Sequence, residues 1–159
     1  MTGLSGKDLN SIGGTMTLTS LTILSTLSFP SLTSVKSIQW AHLNGLQQLT
    51  FTQGVSTADD ILITDSQLNS LDGINLKTVQ SMDINNNPYL HIISTQVANI
   101  TQSLTIDANA QDLKVEFPNL IFAYNMTLRN ISSISIPSLA SVNTTLVFYG
   151  DYLTNVMAP

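Results

Sequence analysis

Apolar residues return at a fixed interval along the whole chain, and that interval constrains the fold more than any other feature. The first apolar residues of successive alternating segments are Met16, Ile38, Ile61, Met82, Leu104, Met126 and Leu146, spaced 20 to 23 residues apart. Two residues later stands a second column: Leu18, Trp40, Ile63, Ile84, Ile106, Leu128 and Phe148. Every member is large and apolar. A period of this length is the signature of a solenoid, in which one unit cannot bury its own apolar face and neighbours must stack to make a core.

Each unit carries further apolar positions about three residues apart, such as Leu68, Leu71, Ile74, Leu76 and Val79. The connecting segment often reads Phe-Pro-Ser-Leu or a close variant, as at Phe29–Leu32, Phe117–Leu120 and Ile136–Leu139. Proline suits a bend or an edge, where no ladder donor is required. Ser, Thr, Ile and Val dominate and helical periodicity is weak, which favours strands. The fold expected is all-β: a parallel β-solenoid of about seven coils of about 22 residues, forming one domain over 1–159. Each coil should hold a five-residue strand, a turn and a second extended side, with coils stacked roughly 4.8 Å apart.

The segment Ser81–Ile93, SMDINNNPYLHII, shows how a coil should turn. Met82 and Ile84 alternate with Asp83 and Asn85, then three asparagines and a proline interrupt the pattern. The residue four beyond each first apolar position is Ser20, His42, Asp65, Asn86, Ala108, Asn130 or Gly150, mostly small or polar. An Asn side chain can satisfy turn backbone in its own or the next coil, so Asn86 is expected to face inward. A calcium loop would need more carboxylates than the single one in Asp83–Asn87.

Composition narrows the function. Only 9% of residues are charged against 43% hydrophobic, so solubility must come from hydroxyls, amides or attached sugars. Five Lys plus Arg and a net charge of -5 exclude the basic stripe that nucleic acid requires. There is no cysteine, hence no disulfide framework and no thiolate metal site. No apolar run approaches the ~20 residues of a membrane-spanning helix.

Several segments together resemble one family. They are LSTLSFPSLTSVKSIQW, ILITDSQLNSLDGINLKTV, DINNNPYL, FPNLIFAYNMTLRNISSISIPSLASVN and VFYGDYL, covering the chain from about Leu9 to Pro159. SLDGINLKTV and NMTLRNISSISIPSL are the most specific. The chain resembles the fungal GPI-anchored cell-wall organisation proteins, which are related to yeast sporulation-specific wall proteins. More distantly it resembles the leucine-rich-repeat-like receptor L domain. The resemblance implies a secreted glycoprotein of the wall or plasma membrane, needed for wall integrity, with no catalytic residues. Family members carry a signal peptide, a Ser-rich stalk and a GPI signal. None is recognisable here, so the chain is expected to be a fragment of a longer repeat protein.

Four Asn-X-Ser/Thr acceptors occur, at Asn99, Asn125, Asn130 and Asn143. Asn99 and Asn143 are expected at exposed corners just before strands, and Asn125 immediately before its strand. Asn130 belongs to the corner column, where an inward side chain could not also carry a glycan. On outward strand positions, Asp83 and Asp107 fall in adjacent coils and could form a glycosidase pair. Arg129 should lie beside Asp107 and hold it in a surface ion pair. Ala58–Asp60 reads as a solvated turn. His42 and His91 are the only histidines and read as structural or surface residues, with no metal site or cofactor implied. Trp40 reads as core, and outward Tyr149 as the better candidate for contact with a glycan.

The function expected is that of a non-enzymatic structural or binding protein of the fungal cell wall. Its partners would be wall glycans or wall and plasma-membrane proteins. The alternatives are a polysaccharide-acting enzyme using Asp83 and Asp107, and a receptor-like ligand-binding module. Solenoid ends normally wear polar caps, and here the end coils have ordinary coil sequence, so end-to-end self-association is expected.

Overall fold

The computed structural model describes residues 1–159 and contains strands but no helix. In chain order the strands are β1 (Gly3–Ser5), β2 (Ser11–Thr19), β3 (Thr26–Ser28), β4 (Ser34–Leu43), β5 (Gln48–Thr50), β6 (Val55–Thr57), β7 (Asp60–Ser66), β8 (Ile74–Asn85), β9 (Ile92–Ser94), β10 (Asn99–Asp107), β11 (Lys114–Glu116), β12 (Phe122–Arg129), β13 (Ser133–Ser135), β14 (Ser141–Tyr149) and β15 (Asn155–Met157). Every pairing is parallel and joins one coil to the next. The result is a parallel β-solenoid of about seven turns of about 22 residues.

One long sheet runs β2, β4, then β6 with β7, β8, β10, β12 and β14. Its register places Leu18 against Trp40, Trp40 against Ile63, Ile63 against Ile84, Ile84 against Ile106, Ile106 against Leu128, and Leu128 against Phe148. The second apolar column is therefore a single interior file. Its members from Leu18 to Leu128 are buried, and Phe148 packs half-buried against the same core. Leu146, which ends the first column, is 45% exposed, because no further coil stacks on β14.

The long strands exceed the five residues expected. Each combines two apolar runs across a register shift, for example between Ile12 and Thr15 and between Ile100 and Leu104. Val35, Val79, Ile100 and Ala123 are buried from the first run. A coil thus has three extended runs rather than two. This corrects the placement of three acceptors: Asn99 opens β10, while Asn125 and Asn143 lie inside β12 and β14. The turn assigned to Ala58–Asp60 is likewise only part solvent, since Ala58 is buried and Asp60 begins β7.

The corners explain the polar column. Ser20, His42, Asp65, Asn86, Ala108 and Asn130 all have φ between 51° and 57°, and Gly150 has φ 129°. This left-handed conformation reverses the chain at the same place in every coil. It also turns the corner side chain outward, so Asn86 is exposed and the expectation that it faces inward is wrong. The inward residue is the next one, Asn87, which is fully buried. Asn87 Oδ1 accepts from Ser66 N (3.0 Å) and Ser66 Oγ (2.6 Å). Its Nδ2 donates to the carbonyls of Ile63 (3.1 Å) and Asn85 (2.8 Å), and to Asn109 Oδ1 (3.0 Å). Asn109 repeats the device one coil on, with Nδ2 donating to Ile84 O at 2.9 Å. Three polar side chains in register satisfy the backbone of the middle corners, while Leu43 and Ile131 fill the same column in the flanking coils.

The Phe-Pro segments are tight turns. Leu32 N–H donates to Phe29 O (3.1 Å), Leu120 to Phe117 (3.2 Å) and Leu139 to Ile136 (3.2 Å), with proline at the second position of each. In the N-terminal half the interior is aromatic. Phe51 stacks on both Phe29 and Trp40, with ring centroids 6.3 Å apart in each pair.

Candidate functional site

The outward face of the long sheet presents two side chains per coil in register, because the side-chain period of a strand is two. Thr17 faces Gln39, Thr105 faces Asp83 and Thr127, and Asp107 faces Asn85. Neighbouring side chains bond both across coils and within one. Thr64 Oγ1 donates to Asn85 Oδ1 (2.7 Å), and Asn85 Nδ2 donates to Asp83 Oδ1 (2.7 Å). Nearer the bend, Gln102 Nε2 donates to Gln80 Oε1 (2.8 Å). The face is a lattice of hydroxyls and amides with few charges.

The two carboxylates considered for catalysis are diagonal neighbours, since Asp83 pairs with Thr105 and Asp107 lies two residues further. Asp83 is held by Asn85, as above. Asp107 accepts from Asn130 Nδ2 (3.3 Å) and lies 3.7 Å from Arg129 Nη1, the ion pair that the sequence places there. Neither carboxylate lines a hollow of the surface. Both histidines pair with an aspartate one coil on: His42 Nδ1 lies 2.8 Å from Asp65 Oδ2, and His91 Nδ1 lies 2.5 Å from Asp112 Oδ1. The hydrogen bond from His91 holds the Asp112 carboxyl below its ordinary value, against the opposing effect of desolvation. No group of three His, Cys, Asp or Glu side chains is placed to hold a metal ion.

Of the four acceptors, Asn143 is exposed and the others are half-buried. Asn125 has its amide oxygen buried without a partner, and Asn130 spends its amide on Asp107. Trp40 is fully buried, as expected of core. Tyr149 is 71% exposed beside Arg129 and Val147 at the last coil.

Sequence reasoning passed over a different region, on the side of the coil where the short strands lie. That side is not one sheet. β1, β3 and β5 form one piece, and β9, β11, β13 and β15 another, with only a bridge between Ser70 and Ile92 near the junction. The sequence of SLDGIN (Ser70–Asn75) does not mark this interruption, since the links at Phe51–Gly54 and Ser94–Val97 also lack proline and yet continue from the short strands β5 and β9. Here the chain passes along the short side as Ser70–Asp72, which makes the one bridge to Ile92 and no strand, and β8 begins two residues later at Ile74.

Comparison with known proteins identifies the chain's relatives. Protein ecm33 of Aspergillus fumigatus is 47% identical over 152 residues, covering 95% of this chain and 38% of that protein. A cell surface GPI-anchored protein of Arthroderma benhamiae is 44% identical over 160 residues, covering all of this chain and 41% of that protein. Sporulation-specific protein 2 of Saccharomyces cerevisiae is 32% identical over 157 residues, covering 98% of this chain and 31% of that protein. The chain belongs to the fungal Ecm33 and sporulation-specific wall protein family. Membership places this Ecm33-family chain among extracellular proteins of the cell wall or plasma membrane. It spans well under half the length of the curated relatives it matches. No family model matches the chain, and no solved structure matches it.

Proposed function

We propose that the chain is a non-enzymatic scaffold that contributes to the organisation and integrity of the fungal cell wall. Its partners are wall glycans or wall and plasma-membrane proteins, and it carries N-glycans of its own. The observation that supports this reading is the outward face of the long sheet, which presents two strand positions in each of seven coils, from Thr17 and Thr19 to Val147 and Tyr149, seven of the fourteen being Thr, Gln or Asn. The only charged side chains among the fourteen outward strand positions are Asp83, Asp107 and Arg129, and each aspartate is engaged by a neighbour. A rigid surface of regularly spaced hydroxyls and amides suits adhesion to uncharged polymer better than it suits bond cleavage. A parallel ladder through every coil resists bending, which is what a load-carrying wall component requires.

The test is a pull-down of the purified chain on insoluble β-glucan, chitin and whole walls, with release of soluble sugar followed in parallel. Retention without turnover is the expected result. Turnover that disappears in the Asp83→Asn, Asp107→Asn double variant would establish the enzyme reading instead.

A further inference from the structure

We infer that the interruption of the short-strand side, between β5 and β9, is a binding groove for a neutral oligosaccharide. The segment that passes beside β5, Ser70–Asp72, bridges Ile92 once and forms no strand, which leaves β5 with an open edge in the middle of the solenoid. Gln48 N–H donates to Ser25 O (3.3 Å), and Phe29 N–H donates to Thr50 O (2.9 Å), so Gln48 and Thr50 turn their backbone toward β3. Leu49, between them, turns its N–H and C=O the other way, where no strand receives them. An unpaired donor and acceptor at the floor of a cleft call for a polar ligand.

Three hollows lie there, of about 400, 270 and 340 Å³. The first and second share Asp72, and the second and third share Gln47 and Asn69, so they lie in a row along the trough. Its walls are mostly amides and hydroxyls, with Gln53, Asn75 and Gln96 beside Phe51, Leu71 and Ile74 at one end. Asp72 is its only charged group, and no basic side chain lines it. At the other end stands Tyr89, 54% exposed, its ring available to the C–H face of a sugar. Side-chain amides that both donate and accept, one carboxylate acceptor and an aromatic plate together match a chain of vicinal hydroxyls. The absence of cations argues against phosphorylated or acidic ligands. An extended peptide fits less well, because β5 offers only one outward-turned residue for strand addition.

The groove lies on a different side of the coil from the long face, so this inference and the proposed scaffold role fail separately. Calorimetric titration of the 159-residue chain with laminarihexaose, chitohexaose and a mannohexaose tests it, with hexagalacturonate as the charged comparison. At least one neutral hexamer should bind and hexagalacturonate should not. Tyr89→Ala and the pair Asn69→Ala, Asp72→Ala should each weaken binding about tenfold or more, as loss of one or two well-made contacts would. All three residues are exposed, so the variants should keep the circular dichroism spectrum of the parent. No binding of any neutral hexamer at millimolar concentration would overturn the inference. So would binding that survives these changes but is lost in the long-face variant Thr105→Arg, or capture of an extended peptide with no sugar bound.

Discussion

Truncating Asn87 tests the idea that the middle corners are held by polar side chains rather than by apolar packing alone. Asn87→Ala strips partners from Ser66 N–H, Ser66 Oγ, and the carbonyls of Ile63 and Asn85, all around a fully buried side chain. Each orphaned buried group costs about 1–3 kcal/mol, and a water entering the vacated space recovers part of that. A net loss of about 3–5 kcal/mol follows, a large share of the ~5–15 kcal/mol that a domain of this size has to lose. At about 2–4 °C per kcal/mol the melting temperature should fall by roughly 6–20 °C. Asn87→Leu is the sharper variant, because Leu43 and Ile131 occupy the same column in other coils. If filling the column were enough, leucine would be neutral. With Ser66 N–H left unbonded it should still cost about 2 kcal/mol or more. Urea unfolding followed by circular dichroism and by the fluorescence of Trp40 gives both values. A double-variant cycle with Asn109→Ala should show coupling of about 0.5–3 kcal/mol, since Asn109 Oδ1 accepts from Asn87 Nδ2 at 3.0 Å. An Asn87→Leu chain as stable as the parent, or strict additivity with Asn109→Ala, would refute the ladder.

Other outcomes follow from the same geometry. Ala108 sits exposed at φ 51°, so Ala108→Gly should raise stability by about 0.5–1 kcal/mol and Ala108→Val should lower it, as read by urea midpoints. Mass spectrometry of the chain secreted from a fungal host should find Asn143 glycosylated and Asn125 and Asn130 largely bare, because Asn143 alone of the four is exposed. The carboxyl of Asp112 is lowered in the folded state, so its bond with His91 stabilises above the ordinary carboxylate range and is lost as pH falls through the lowered value. The melting-temperature difference between parent and Asp112→Asn should therefore be present at pH 6 and vanish on acidification toward pH 2. Leu146, Val156 and Met157 lie 45–54% exposed on the last coil, so light scattering of the isolated 159-residue chain should show concentration-dependent association, and a Leu146→Lys variant should abolish it.

The interior file from Leu18 to Phe148 was legible in the sequence because a parallel stack repeats one environment at a fixed interval, and each coil must supply the same apolar residue to it. The proline turns were legible for a related reason, since a fixed φ and a missing N–H leave few places to put Phe-Pro. The polar corner was legible only to within one residue. Composition marked Asn86 and its neighbours as a turn, but which asparagine points inward depends on the sign of φ at the corner. The left-handed φ shared by Ser20 through Asn130 sends Asn86 out and Asn87 in. The three acceptors read as preceding strands, yet they lie within them, because the ladder continues through the bend once neighbouring coils are present to pair with it.

The sequence by itself determined that this chain is a stack of parallel coils, and its residues already carried the resemblance to a fungal wall family. Period and apolar spacing are local properties, readable one unit at a time. The tertiary structure alone decided where the stack is interrupted and what that interruption exposes. Whether Ser70–Asp72 pairs as a short strand depends on the coils above and below it. Only their hydrogen-bond register reveals that β5 has an open edge, with Asp72 and Tyr89 gathered along one trough beside it.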